Sequence, residues 1–475
     1  MHHILLIYAR YFSMENFWDP NVWGVFRLFA VLLISLLFAN ALKRKIKFLR
    51  VSLIPTSVLG GCILLLIAGI YKLITGDLLF DTQFFGGNGM AVLEIITYHA
   101  LALGFIASTF KSSEGKLNKK RTIEIFNTGV TTVSTYLLQA VFGLAVTIIA
   151  AVMFTDIFPA SGVILPFGYG QGTGQAMNYG NIYEMQHGFE GGKSFGLTIA
   201  ALGFLSAAVG GVIHLNILRR RGVIVPGSAD TEGKIQSEEI QAENEIPMQG
   251  SMDKLTVQLA LVALAYFITY FLMYLLGSIL PGMRSVIYGF NFLLGVLSAT
   301  LIKAVLNLLK KKNIVKRQYT NNFLMTRCSN FFYDVMVVAG IAAIRLGIFK
   351  KYWGVIIILA IGGLVITYLY NHYVAKTLFP EYTEAQFLAM YGMLTGTAST
   401  GIILLREIDN DFKTPAADNL VYQNFPAIVF GFPLMLLATL APVKPVLTWI
   451  ILAAFFIVMN IILFRSRIFK IKKSK

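Results

Sequence analysis

Long apolar runs alternate along the chain with short, mostly basic loops. Eleven runs approach the roughly 20 apolar residues that cross a bilayer, beginning near Val22, Val51, Met90, Gly129, Ser194, Leu255, Val286, Asn330, Trp353, Val421 and Pro445. Each predicts a membrane-crossing helix, so the expected fold is all-α and transmembrane. Two further stretches stand outside this count. Tyr169-Gly170-Gln171-Gly172-Thr173-Gly174-Gln175-Ala176 and Tyr391-Gly392-Met393-Leu394-Thr395-Gly396-Thr397-Ala398 share the frame Tyr-Gly-x-x-Thr-Gly-x-Ala. They are too rich in glycine to be spans, and the apolar residues flanking them are too few to cross. Each reads as a re-entrant hairpin, over about residues 158–184 and 383–405. Irregular backbone at that depth survives only when it is buried in protein or lines a wet cavity.

The basic residues set the expected orientation. Lys43, Arg44, Lys45, Lys47 and Arg50 follow the first run, Lys111 to Arg121 the third, Arg219 to Arg221 the fifth and Lys310 to Arg317 the seventh. Residues 465–475 add a basic tail. Clusters on alternate loops place the N-terminus outside and the C-terminus in the cytoplasm; Lys350 and Lys351 run against the pattern. Residues 1–21 form an extracytoplasmic segment, within which Ile4 to Tyr8 lacks the basic flank, length and cleavage site of a signal peptide.

With that orientation the chain divides into two halves. Residues 22–217 hold five spans and the first hairpin, 218–254 a polar cytoplasmic linker, 255–440 five more spans and the second hairpin, and 441–464 an additional span. An odd number of crossings makes the second half start from the opposite side. The halves are therefore expected to be inverted-topology repeats whose hairpin tips meet near the midplane, as in secondary transporters.

Composition agrees: 56% of the 475 residues are hydrophobic, 13% are charged and mean hydropathy is +0.69, whereas soluble domains carry about 25% charged residues. The net charge of +16 is no argument for nucleic acid, because most of the basic residues fall in the loops that fix orientation. Cys62 and Cys328 predict no disulfide framework. No phosphate-binding Gly-x-x-x-x-Gly-Lys-Ser/Thr loop, His-Glu-x-x-His or Cys-x-x-Cys metal pattern, or nucleophile elbow occurs. Catalysis and a resident cofactor are not expected.

Three motifs carry a resemblance. Ile54-Pro55-Thr56-Ser57-Val58-Leu59-Gly60-Gly61 resembles the Ile-Pro-x-x-x-x-Gly-Gly of bacterial sodium/glutamate symporters. Gly170-Gln171-Gly172-Thr173-Gly174 is similar to that family's Gly-His-Gly-Thr-Gly hairpin motif, and Thr397-Ala398-Ser399-Thr400 to its Thr-Pro-Thr-type motif. Gln171 stands in place of the histidine and Ala398 in place of the proline. The resemblance implies ten core spans, two hairpins, a homodimer, a bacterial plasma membrane and sodium-coupled glutamate uptake. The two departures leave another organic carboxylate, coupled to sodium or protons, as the alternative. A channel or membrane sensor is the rival of a different class.

A dicarboxylate entering a low-dielectric region needs donors already in place, and helix ends broken at glycine offer free backbone N–H groups. The expected substrate site therefore comprises Gly170, Gln171, Gly172, Thr173, Gly174, Gln175, Asn178, Thr395, Gly396, Thr397, Ser399 and Thr400. Gln171, Gln175 and Asn178 read as one helical face leaving the first tip, either lining the cavity or tying the hairpin to its neighbours. Arg345 either neutralises a substrate carboxylate or snorkels to the surface. Thr173, Thr397 and Thr400 are candidate sodium ligands, since a hard cation prefers oxygen. Glu94 and Asp334, near the starts of equivalent spans, read as a matched pair of cation or proton sites or as helix caps.

Overall fold

The computed structural model describes residues 17–111, 118–222, 245–246, 248, 252–409 and 413–468. The expected N-terminal segment up to residue 16, residues 223–244 of the expected linker and the end of the basic tail lie outside the described residues. The first half holds α1 (Pro20–Lys45), α2 (Thr56–Thr75), α3 (Gly89–Phe110), α4 (Lys119–Met153), α5 (Leu165–His187) and α6 (Gly192–Arg220). The second holds α7 (Lys254–Ile279), α8 (Asn291–Lys311), α9 (Asn322–Ala342), α10 (Phe349–Leu378), α11 (Thr383–Thr395), α12 (Ala398–Arg406), α13 (Ala416–Tyr422) and α14 (Asn424–Leu440). α15 (Pro445–Leu463) follows. Among the described residues the β-type pairing is a single isolated bridge, Glu245 with Gln318.

Nine of these helices are long and apolar enough to cross a membrane; a tenth span results if Ala416–Tyr422 and Pro426–Leu440, bent by 52°, count as one. The protein is a multi-pass, all-helical membrane protein. Polar caps set several helix starts. The side chains of Asn118 and Asp253 accept from backbone N–H groups at the starts of α4 and α7, Asn118 from Arg121 at 2.8 Å and Asp253 from Leu255 at 2.9 Å. Asn321 does the same for α9, accepting from Leu324 N at 2.7 Å. That cap starts α9 at Asn322, well before the expected Asn330. Asp334 consequently lies at the middle of α9 while Glu94 lies in the second turn of α3. The matched positions expected of this pair do not hold, and Asp334 caps no helix.

Both glycine-rich stretches are broken helices that fold back. In α5 the break is at Gly172, with φ +80° and ψ −171°. The ring of Phe167 stacks on that of Tyr179, centroids 3.9 Å apart, whereas a straight helix would separate these residues by about 18 Å. In the second half Gly396 and Thr397 separate α11 from α12, and a Cβ on Gly392 would lie 2.7 Å from the Gly401 Cα. Straight continuation would place those two about 13 Å apart.

The broken elements sit at the centre. Of the apolar stretch of α6, 67% is buried, against 22% for α2, α7 and α15. The peripheral helices present Leu73, Phe267, Leu369 and Ile457 outward, as a lipid-facing surface requires. α5 and α6 approach backbone to backbone: a Cβ on Gly196 would collide with the Ala176 carbonyl oxygen, and one on Gly180 with that of Gly192. α9 lies along α3, where Ser329 donates to the Gly104 carbonyl at 3.1 Å.

This close approach makes a prediction. Gly196→Val should force α5 from α6 and destabilise the fold by about 1–3 kcal/mol, read as a lower thermal midpoint in detergent. Gly282→Ala, with nothing within 4 Å of its added Cβ, should melt like the parent. Equal midpoints for all three proteins would show that the two backbones are not in contact.

Candidate functional site

The two breaks meet. A Cβ on Gly172 would lie 3.5 Å from Thr397 Cγ2 and 3.4 Å from Met336 Cε. One carbonyl released at each break is satisfied by the same helix. Tyr136 of α4 donates its hydroxyl to the Gly170 carbonyl at 3.0 Å, and Gln139, one turn on, donates to the Leu394 carbonyl at 2.9 Å. Gln139 also donates to Thr367 Oγ1 at 2.8 Å, fixing its amide against α10. On the other side α9 holds the first tip, with Thr173 Oγ1 donating to the Met336 carbonyl at 3.2 Å.

Two cavities flank Thr397. The first, about 140 Å³, is lined by Tyr136, Gly170, Gln171, Thr397, Ser399 and Gln423, with Phe292, Met336 and Met393 as apolar walls. Its volume is well above the roughly 10–15 Å³ that one water needs. Ala398 and Ser399 open α12 onto it, and Thr397 provides no side-chain cap. The first N–H groups of α12 are therefore free of a capping side chain at the cavity wall, where a helix end favours an anion. The second cavity, about 250 Å³, is lined by Lys43, Ser57, Tyr333, Asp334, Thr397 and Ser399. Ser57 lies beside the Asp334 carboxyl, and Lys43 Nζ donates to the Ile54 carbonyl at 2.6 Å. Tyr333, Thr397 and Ser399 belong to both cavities.

No protein-family model, curated protein or solved structure matches the chain.

Of the residues expected at the site, Gly170, Gln171, Thr397, Ser399 and Asp334 come together around the two cavities. Gly172 forms the contact between the tips. Thr173, Gly174, Thr395, Gly396 and Thr400 support them from behind. The Thr173 hydroxyl is committed to α9, Gly174 packs on Leu101 and Met336, and the Thr395 hydroxyl donates back to Tyr391 O at 2.6 Å. Gly396 sits against Thr400, whose buried hydroxyl is 3.4 Å from that of Thr397. Thr397 and Thr400 thus stand together without Thr173.

The expected polar strip is divided. Gln171 faces the first cavity, Gln175 is buried, and Asn178 lines a separate cavity of about 690 Å³ with Glu94, Tyr98, Lys193, Arg284 and Tyr288. Asn178 donates to Gly289 O at 3.1 Å, tying α5 to its neighbours. The helical register from 171 to 175 fails because the break at Gly172 leaves Gln171 on the incoming limb. Arg345 and Glu94 lie elsewhere too: Glu94 pairs with Arg345 at 3.0 Å and with Lys193 at 2.7 Å. Glu94 is therefore saturated by two cations rather than open to a third, and Arg345 faces Glu94 rather than a tip.

Sequence reasoning missed Tyr136, Gln139, Ser57 and Gln423. A signal existed for the first two: Thr128, Thr131, Thr132, Thr135 and Gln139 run as a polar stripe through the otherwise apolar α4.

Two substitutions test the tips. Gly172→Ala places a side chain in a backbone region that is essentially glycine-only, at a cost of about 1–3 kcal/mol. Tyr136→Phe leaves the Gly170 carbonyl without its donor, at a cost of about 1–3 kcal/mol. Both should melt below the parent in detergent; parental midpoints for both would mean the tips are not held as described.

Proposed function

We propose that this protein is a secondary active transporter whose two broken helices are re-entrant hairpins of inverted-topology halves. The observation that carries the reading is the meeting of Gly172 with Thr397 between two cavities, each with polar groups of the tips in its wall. The order of elements supports the repeat: in each half four long helices precede a helix broken at glycine, and one further helix or bent pair follows. Unwound backbone and half-helix ends at such a junction hold substrate and coupling ion in carriers of this kind.

In the proposed cycle an organic carboxylate occupies the first cavity. The uncapped start of α12 receives its charge, Ser399 and Gln171 add neutral donors, and Phe292 and Met336 exclude water. The coupling cation occupies the second cavity, with the Asp334 carboxylate and the Ser57, Thr397 and Ser399 hydroxyls as a set of oxygen donors suited to a hard ion. A carboxylate in an apolar interior is costly without a cation, and no basic group pairs with Asp334 among the described residues. Each ligand lowers the cost of burying the other, which is what couples them.

Sodium-driven glutamate uptake across a bacterial plasma membrane, amino end outside, is the leading assignment. It follows the resemblance of the three motifs. A carrier of another organic carboxylate, coupled to protons, is the second reading, favoured by Gln171 at the cavity wall and by a carboxylate at the ion site.

Uptake into proteoliposomes tests both. Labelled glutamate should accumulate only with an inward sodium gradient, and Asp334→Asn should reduce sodium-dependent uptake at least about tenfold, equivalent to about 1.4 kcal/mol. Accumulation of a different acid under a proton gradient, with no sodium effect, would replace the leading assignment by the second. Single-channel currents without accumulation of any acid would end the carrier reading.

A further inference from the structure

Away from both tip cavities, His214 of α6, His372 of α10 and Glu384 of α11 converge. One ring nitrogen of each histidine and a carboxylate oxygen all lie within 4.8 Å of one another. His214 Nε2 is 2.7 Å from Glu384 Oε2, and His214 Nδ1 is 2.8 Å from the Tyr368 hydroxyl. His372 is the unsatisfied member: its Nδ1 is buried and has no hydrogen-bond partner. An orphaned buried nitrogen is costly, and ring contacts with Phe387 and His214 do not satisfy it.

We propose that these three residues form a binding site for a divalent transition-metal ion, zinc in the first instance. The donor set fits. Two imidazoles and a carboxylate suit zinc and its neighbours, whereas calcium and magnesium favour all-oxygen sites and copper(I) favours sulfur. Bond lengths of about 2.0–2.2 Å in a tetrahedron put ligand atoms roughly 3.3 Å apart. The His214–Glu384 pair therefore opens slightly from its hydrogen-bonded distance and His372 turns in. Three protein ligands leave a fourth position for water. Tyr368 completes the arrangement as a positioning residue. Its hydroxyl donates to Nδ1 while Nε2–H serves Glu384, and accepts from Nδ1–H once Nε2 binds metal, the partner that metal-bound histidines ordinarily have. The Glu384 side chain is 30% exposed, so the site has a way in.

Nothing in the sequence announces the cluster, because its members come from three helices of both halves. An ion there joins α11, the first limb of the second broken helix, to the long helices α6 and α10. It would anchor that limb at its root, remote from Gly396. The site does not depend on the carrier reading.

The test uses the full chain in detergent with any polyhistidine tag removed. The parent should retain about one zinc per chain after dialysis, and cobalt(II) should give the visible absorption of a low-coordinate site with nitrogen and oxygen ligands. Zinc should raise the thermal midpoint. His372→Ala and Glu384→Gln should each weaken zinc binding at least about tenfold. Tyr368→Phe should also weaken it about tenfold, the loss expected when a histidine ligand is deprived of its outer hydrogen-bond partner. His372→Gln serves if the alanine variant does not fold. A parent that retains no zinc and gives no cobalt spectrum, or a folded His372 variant that binds as tightly as the parent, overturns the proposal. Binding is read without transport, so failure here leaves uptake untouched, and failure of uptake leaves the site untouched.

Discussion

A helix broken inside an apolar interior releases N–H and C=O groups that no water is present to receive. Two such breaks, at Gly172 and at Gly396–Thr397, lie side by side in this protein. Their support comes from one strip of α4: Tyr136 serves the carbonyl of Gly170 and Gln139 that of Leu394. The two donors are a single turn apart, so the tips cannot move independently of α4 without losing a hydrogen bond each. Part of the polar interior follows from this requirement. Gln139 is itself held by Thr367, and Thr132 of the same stripe donates to Gln423 at 2.8 Å, fixing the far wall of the first cavity. Unlike these carbonyls, the first N–H groups of α12 are left without a capping side chain, and they lie at a cavity.

The acidic residues show how burial sorts similar groups into different roles. Glu94 and Asp334 are both carboxylates on helices that pack against each other. Glu94 meets two cations, and its charge is spent within the protein. Asp334 meets a serine and a cavity that Lys43 also lines, the lysine being bonded there to the Ile54 carbonyl and not to Asp334. A hydroxyl stabilises a carboxylate far less than a cation does, so of the two it is Asp334 whose charge remains to be met. The asymmetry arises from α9 beginning early. Had its cap stood near Asn330, Asp334 would lie in the first turn, where the helix end itself favours an acid.

Hydropathy made most of the long helices legible; of the eleven expected crossings, the one near Asn330 became α9, which is not among the helices long and apolar enough to cross. The doubled Tyr-Gly-x-x-Thr-Gly-x-Ala frame made both breaks legible, because clustered glycines weaken a helix and let the backbone turn within an apolar run. What pattern alone could not supply was register. The grouping of Gln171 with Gln175 and Asn178 assumed an unbroken helix, and the positive φ at Gly172 separates them. The start of α9 was hidden because Asn321 caps it from within a polar stretch that reads as loop. Arg345 looked free because its partner Glu94 is on a helix far away in sequence. The polar stripe of α4 was visible, yet threonines in a span often bond their own helix, as Thr131 does here; the pattern does not distinguish it from Tyr136 and Gln139, which reach across.

Thr397 is the residue at which these threads join. Its backbone is extended, with φ −145° and ψ 172°, so successive groups alternate sides and one residue can face two compartments. Ser399 and Tyr333, on helices, also line both cavities. In the carrier proposed above, a substrate carboxylate and a cation would then be separated by little more than one strand of backbone. Two unit charges about 6 Å apart in an environment of effective dielectric constant near 20 attract by about 3 kcal/mol. That is the size of coupling free energy ordinarily seen between linked sites, and it needs no movement of distant elements. A tip of this kind must be thin, which explains the absence of bulky side chains between Gly396 and Thr400. It must also be rigid, which is what Gly392 against Gly401 and the donors of α4 supply. Widening the tip would lengthen the separation and weaken the attraction; loosening it would let water in and raise the local dielectric, with the same result.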